Sequence, residues 1–216
     1  NLIILNNTIY LNDKLIKHEL RLKNYIALLK EDFSDVPIIF DVGGHKGESI
    51  AKIKDFFHTS EFHSFEPNLK IFDELNYTAS KLRSKFLKIT TYPFALGNVV
   101  ESKKYYDFEE SYLSGFFDIK DHKKNKDGKI VKRLNSYMVK TTTGDFFCKE
   151  HKIKTIDLLK INVQGFEPEI IMGFEQMLTN SKIKIVLAEF DYSDRYERSV
   201  KISDLENVLS KYSYTL

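Results

Sequence analysis

The chain has 216 residues, of which 42% are hydrophobic and 30% charged, and a formal net charge of +2. That length and apolar content suit one globular domain with a sizeable core, and so small a charge gives no argument for nucleic acid. The single cysteine, Cys148, excludes an intramolecular disulfide and a cysteine-rich zinc site. No apolar stretch nears the roughly 20 residues that span a membrane. With no signal peptide visible, a cytoplasmic location is expected, although the chain opens on Asn1 rather than Met.

Residues 1–36 read as an N-terminal helical segment, with Leu15, Leu22, Ile26 and Leu29 on one stripe. Asn12 or Asp13 suits its cap. Pro37 ends it, because the residue before proline disfavours the helical conformation. The main domain is expected over 37–216. Its first strand is 38–42, followed by a helix over about 48–57 with Ile50, Ile53, Phe56 and Phe57 inward. A second strand over 62–65 ends at Glu66-Pro67. Asn68 suits a helix cap, and Leu69, Phe72, Leu75 and Leu82 form the next apolar face. A third strand covers roughly 88–95 and closes on Leu96-Gly97-Asn98. This alternation predicts an α/β fold with a doubly wound parallel sheet and right-handed crossovers.

Residues 99–141 break the rhythm. Short strands over 105–108, 112–117 and 136–139 predict an inserted antiparallel hairpin or lid beside the sheet. Its loop, 120–133, carries Lys120, Lys123, Lys124, Lys126, Lys129, Lys132 and Arg133 against Asp121 and Asp127. Such a loop is commonly just solvated, but aromatic residues with local positive charge also suit an acceptor bearing phosphate or sugar groups. The pattern resumes with a helix over 145–151 and a fourth strand over 155–163. The next helix has Glu167 as its expected cap, Pro168 at its first position and Ile170, Ile171, Phe174 and Leu178 buried. A fifth strand over 183–190, a helix over 203–211 and the start of another strand over 212–216 complete the chain.

The chain is organised around Ile38-Ile39-Phe40-Asp41-Val42-Gly43-Gly44-His45-Lys46-Gly47. An apolar run of this kind suits a strand buried on both faces. The glycines after it allow close backbone approach to a ligand, and the following helix offers unpaired N–H groups. The spacing Asp41-x-Gly43-x-x-x-Gly47 fits the dinucleotide fingerprint poorly. Glu66, 25 residues after Asp41 at the end of the second strand, can accept hydrogen bonds from both hydroxyls of a ribose. An adenosine-type cofactor follows, with S-adenosylmethionine ahead of NAD.

Four segments carry a family resemblance. They are Phe40-Asp41-Val42-Gly43-Gly44-His45-Lys46-Gly47, Phe65-Glu66-Pro67, Ala95-Leu96-Gly97 and Leu159-Lys160-Ile161-Asn162-Val163-Gln164-Gly165-Phe166-Glu167. In order and spacing the chain resembles the FkbM family of class I S-adenosylmethionine-dependent methyltransferases, over about residues 37–190. Ile171-Met172-Gly173-Phe174 is similar to the segment that follows the family's fourth strand. The resemblance implies a Rossmann-like sheet of seven strands ordered 3-2-1-4-5-7-6, the last antiparallel. By that template strand seven is missing, so a chain truncated at its C-terminus, or a disordered tail, is expected. The resemblance also implies roles. Asp41, Gly43, Gly44, His45 and Gly47 would hold the methionine part of S-adenosylmethionine, and Glu66 with Pro67 its ribose. Phe94 and Ala95 would lie against adenine, and Asn162 would face the transferable methyl.

The chain departs from the family pattern twice: Gly44-His45 replaces Ala-Asn, and Asn162 replaces the usual Asp. Gln164 stands where relatives carry Glu or Gln. The resemblance alone implies the expected activity, O-methyl transfer to a hydroxyl of a saccharide or similar metabolite, in glycan or capsule assembly. Sulfonium is a good leaving group, so positioning and desolvation contribute most, with a base assisting. His45, Glu189 and Asp191 are candidates for that base, beside Asn162 as a candidate catalytic residue. Glu189, Asp191 and Asp194 have donors for a divalent cation, but such acids commonly face solvent, and no metal is expected. Two other readings stay open. The loss of an Asp at position 162 suits a non-catalytic cofactor-binding module, and the corner itself also admits an NAD-dependent sugar oxidoreductase. No nucleic-acid partner is expected, because the basic run is one loop without a stacking platform. The oligomeric state is not legible.

Overall fold

The structure, a computed structural model, describes residues 2–5, 8–10, 26–27, 32–57, 59–121, 123–124, 128–189, 194–198, 200–212 and 214. Two strands, β1 (Leu2–Leu5) and β2 (Thr8–Tyr10), open the chain. The first predicted strand is β3 (Ile38–Val42), followed by α1 (Glu48–Ile53) and a short 3-10 turn, Lys54–Phe56. Then come β4 (Ser60–Phe65), α2 (Leu69–Leu82), β5 (Leu87–Tyr92) and β6 (Ala95–Gly97). The insertion supplies β7 (Glu101–Phe108) and β8 (Arg133–Thr143). The last elements are α3 (Gly144–Glu150), β9 (Ile156–Ile161), α4 (Glu167–Met172), α5 (Glu175–Thr179), β10 (Ile183–Ala188) and α6 (Ile202–Leu209).

The main sheet has seven strands in the order β2-β1-β10-β9-β3-β4-β5. Five adjacent strands, β10-β9-β3-β4-β5, run parallel and reproduce the expected 3-2-1-4-5 order. β1 pairs antiparallel with β10, and β2 antiparallel with β1. The antiparallel edge is therefore built from the start of the chain, where only a helix was expected. The positions expected to stay open at the sheet's edge are filled. Of the predicted N-terminal helix, Ile26 and the residue after it are helical and Ile26 is buried; Leu15, Leu22 and Leu29, with Asn12 and Asp13, lie outside the described residues. Over 212–216, Tyr212 closes a 3-10 turn and Tyr214 buries its ring while its hydroxyl donates to the carbonyl of Ile183 at 2.6 Å. Neither is in a strand. Among the described residues no helix is long and apolar enough to cross a membrane.

Side-chain alternation on the strands builds two cores, one on each face of the sheet. Ile39, Leu158 and Ile185 pack with Ile50, Phe62 and Leu75 on one face. Their neighbours Phe40, Leu159 and Val186 pack with Phe65, Phe166 and Phe174 on the other. β9 is buried at every residue, including the charged Asp157 and Lys160. Asn68 caps α2 as expected, its side chain accepting from the backbone N–H of Lys70. The buried stripe of that helix is Ile71, Leu75 and Ala79, whereas Leu69 is 62% exposed.

Four further elements differ from expectation for local reasons. The third strand stops at Tyr92, because Pro93 has no N–H to give a ladder; the chain then crosses into a second, three-stranded sheet ordered β6-β8-β7. The segment 112–117 is a 3-10 turn, Ser111–Leu113, with only Gly115 bridging Tyr106. Glu167 is not a cap: it begins α4, and its carboxylate turns back to accept from the N–H groups of Val163 and Gly165. The helix expected to run through Phe174 breaks at Gly173 into α4 and α5.

Gly173 is where the small sheet meets the helical layer. A Cβ placed there would lie 2.0 Å from the carbonyl oxygen of Gly97, a backbone atom with no room to yield. Gly173→Ala should therefore destabilise the domain by about 1–3 kcal/mol, the range for overpacking, measured by urea unfolding.

Candidate active site

Open parallel sheets bind ligands at the carboxyl ends of their strands. Here that edge carries a cleft of about 580 Å³, walled by the ends of β3, β4, β9 and β10 and by the hairpin turn with Ser111, Tyr112 and Phe116. The inserted hairpin thus forms one wall of the cleft.

The floor is the turn after β3. Gly43 and Gly44 both donate their N–H to the carbonyl of Phe65, at 3.1 and 3.0 Å. Gly43 has φ of 80°, and a Cβ on it would lie 2.0 Å from the carbonyl oxygen of Asn162. Only glycine tolerates both conditions. Behind this turn, Asp41 and Lys160 face each other across the register of β3 and β9. Lys160 Nζ lies 2.9 Å from Asp41 Oδ1 and donates to the carbonyl of Gly43 at 3.2 Å. Ser64 donates to Asp41 Oδ2 at 3.1 Å. Burial penalises the lysine charge, but the carboxylates of Asp41 and Glu189 outweigh it and hold the Lys160 pKa above its ordinary value.

Glu66 closes the end of β4. Its Oε2 accepts from the N–H of His45 at 3.0 Å, and its Oε1 from the N–H of Asn68 at 2.9 Å. Burial nevertheless dominates, pushing its pKa up to about 7. Glu167 behaves alike: burial outweighs its two backbone donors and also raises it to about 7. Each contributes stability that is full below the ordinary carboxylate value and lost as the pH rises through 7.

Beyond the turn, Asn162 Nδ2 donates to Glu189 Oε2 at 3.1 Å, and Gln164 Nε2 donates to Asn162 Oδ1 at 3.0 Å. Tyr196 Oη lies 3.1 Å from Gln164 Oε1 and 3.0 Å from the carbonyl of Leu113. This chain of polar groups runs from the end of β10 to the hairpin turn. On the opposite wall, His45 Nδ1 is 3.2 Å from Glu48 Oε1, and its Nε2 is 2.9 Å from Ser111 Oγ.

Of the sequence-predicted residues, Gly43, Gly44, His45, Glu66, Pro67, Ala95, Asn162 and Glu189 all line the cleft. Asp41, Gly47 and Phe94 do not. Asp41 is fully buried behind the wall. Gly47, with φ of 89°, packs against Thr78 and Leu75. Phe94 packs at a tilt against the rings of Phe65 and Tyr92. Asp191 lies outside the described residues. The described residues of the basic loop do not line the cleft: Lys120 pairs with Asp194, Arg133 with Asp118, and Lys123 lies 3.7 Å from Asp194. Lys126 and Asp127 lie outside the described residues. Among the described residues no group of three His, Cys, Asp or Glu is placed to hold a metal. Lys160, Glu48, Ser111 and Tyr105 were not singled out from the sequence. For Lys160 a signal existed, the one basic residue of an apolar strand beside the only acid of the first strand.

With this geometry in hand, the family model described as Methyltransferase FkbM domain matches residues 41–216. Methyltransferase FkbM from Methylobacillus flagellatus KT, solved as a crystal structure, has a similar fold, with a TM-score of 0.52 at 18% identity. The match covers 82% of this chain and 38% of that one. No curated protein matches the chain.

Removing one partner of a buried ion pair strands the other. Lys160→Met should cost about 3–5 kcal/mol in urea unfolding. Adding Asp41→Asn in the same chain should recover most of that loss, because no charge is then left unpaired.

Proposed function

The chain belongs to the FkbM methyltransferase family, and from that premise we propose that it is an S-adenosylmethionine-dependent O-methyltransferase. Its acceptor is a hydroxyl of a saccharide or similar small metabolite. The observation that carries the cofactor assignment is Glu66. It is a carboxylate only 5% exposed, it lines the cleft at the end of β4, and its ionisation is opposed by burial. Two hydroxyls donating to it from a ribose would supply what its two backbone donors do not. Beside it, Gly43 and Gly44 line the cleft in a turn packed so closely that a Cβ would fall 2.0 Å from the carbonyl oxygen of Asn162 or 2.2 Å from Ser64 Oγ.

In this reading Gly43, Gly44 and His45 hold the methionine part of the cofactor, and Glu66 and Pro67 its ribose. Ala95 meets the adenine, and Asn162 faces the reacting centre. S-adenosylmethionine would supply an electrophilic methyl group on a sulfonium. The residues of the chain then orient the acceptor, exclude water and accept its proton; His45 and Glu189 are the wall groups able to do the last. Tyr112 and Phe116 of the hairpin offer aromatic surface to a sugar ring. A cytoplasmic location agrees with the single cysteine, buried and held as a thiol by burial, with a pKa near 12.

Asn162 favours one competing reading, a module that binds the cofactor without turning it over, because both its polar atoms are engaged by Glu189 and Gln164. S-adenosylhomocysteine formation from S-adenosylmethionine and a mixture of sugar nucleotides separates the two. Binding without turnover would refute the enzyme reading.

Calorimetry with S-adenosylhomocysteine should show clear binding, weakened by about 1–3 kcal/mol in Glu66→Ala, the range for hydrogen bonds to a charged group. Equal affinity in both proteins would remove the ribose assignment.

The same site predicts a pH dependence. Hydroxyl donors favour the ionised Glu66, so below pH 7 binding must expel its proton. The dissociation constant should be flat above about 7 and rise by up to tenfold per pH unit below it. Glu66→Gln should flatten that profile.

A further inference from the structure

We propose that His45 is the base that takes the acceptor's proton, that Glu48 is the positioning residue setting its tautomer, and that Ser111 holds Nε2 until the acceptor displaces it. This rests on the cleft being a methyl-transfer site.

The three side chains come from three elements. His45 lies in the turn after β3, Glu48 opens α1, and Ser111 begins the 3-10 turn of the hairpin. His45 Nδ1 approaches both oxygens of Glu48, at 3.2 and 3.4 Å, while Nε2 meets Ser111 Oγ at 2.9 Å. A carboxylate has no proton to give, so the hydrogen of a neutral imidazole must sit on Nδ1. Burial alone would raise Glu48, yet its hydrogen bond from His45 and the backbone N–H groups around it bring its pKa down to about 2. It is thus ionised across the working range. Nε2 is left with a lone pair directed at Ser111 in the cleft wall.

The backbone makes this arrangement durable. His45 has φ of 46°, a left-handed conformation uncommon outside glycine. Its N–H is anchored on Glu66 Oε2. The base is therefore fixed to the same carboxylate assigned to the ribose. The charged groups lining the cleft with His45 are Glu48 and Lys52 from α1, Glu66 after β4, Lys160 on β9 and Glu189 after β10. Glu189 and Glu66 are less suited to the task. Glu189 accepts from Asn162, and Glu66 accepts from two backbone N–H groups. His45 Nε2 meets only a neutral hydroxyl, which an acceptor hydroxyl can replace one for one.

The proton count closes. As the acceptor oxygen bonds to the methyl carbon, the C–S electron pair returns to sulfur and the acceptor's O–H proton passes to Nε2. The resulting imidazolium is stabilised by Glu48 and later loses its proton to water.

The test uses NMR of histidine-labelled protein to read the His45 tautomer directly, without any acceptor. The proton is expected on Nδ1 in the wild type. Glu48→Gln should lose that preference and populate the Nε2 tautomer as well, because an amide can turn either its oxygen or its NH₂ to Nδ1. Ser111→Ala should leave the tautomer unchanged. With the sugar-nucleotide mixture as acceptor, His45→Gln should slow S-adenosylhomocysteine formation by about 10²–10⁴-fold. In Glu48→Gln the rate should fall while S-adenosylhomocysteine binding is retained. A proton on Nε2 in the wild type, an unchanged tautomer in Glu48→Gln, or a full rate in His45→Gln overturns the proposal. Loss of the cofactor reading would show separately, as wild-type protein that binds no S-adenosylhomocysteine.

Discussion

A buried pair of opposite charges at the middle of the sheet sets the geometry of everything above it. Asp41 and Lys160 are respectively 0% and 3% exposed, and they meet at 2.9 Å across adjacent parallel strands. Neither charge is tolerable alone in that environment. Their pairing penalises any register of β3 against β9 other than the one observed, because a shift would leave one of them facing hydrocarbon. The same lysine donates to the carbonyl of Gly43, so the charge that fixes the register also anchors the first residue of the turn.

From that anchor the cleft is assembled by short-range constraints. The carbonyl of Phe65 ties Gly43 and Gly44 to the end of β4, and Asn162 donates its N–H to the carbonyl of Val42. Three strand ends are thereby locked at one level. Glu66 links two of them again, accepting from His45 on one side and Asn68 on the other. Asn68 in turn donates to the buried Asp107 of β7 at 3.0 Å, and Ser114 lies 3.4 Å from the same carboxylate. The hairpin is thus fastened to the sheet through polar groups, which positions Ser111 over the turn.

The inner sheet was legible because its signals are local and strong: apolar runs of strand length, a glycine turn, an Asn cap. The outer sheet was not. β1 pairs with β10 across nearly the whole chain, and β2 pairs with β1; neither short run carries a signal of its partner. Pro93 should have divided the third strand, since a residue without an N–H cannot continue a ladder. Within the site, residues that line the cleft through backbone or strand ends were found. An acid at a strand end suggests a ligand, but Asp41 is buried behind the cleft wall and is met there by Lys160 of the same chain. Glu48 and Ser111 carried no pattern of their own. They matter only because an unusual His45 sits between them, 66 residues from Ser111 in sequence.

The two departures from the family's motifs are matched to their surroundings. An aspartate at position 162 would place a second carboxylate about 3 Å from Glu189, and like charges so close oppose each other's ionisation. The amide avoids this. It donates to Glu189 and accepts from Gln164, so every polar atom of the group is satisfied while a carboxylate stays in the wall. At position 45, a ring that can carry a proton replaces a neutral amide, and it stands against an ionised Glu48. The carboxylate absent at 162 is thus offset by Glu189 on one side of the cleft, while on the other the imidazole of His45 stands between Glu48 and Ser111.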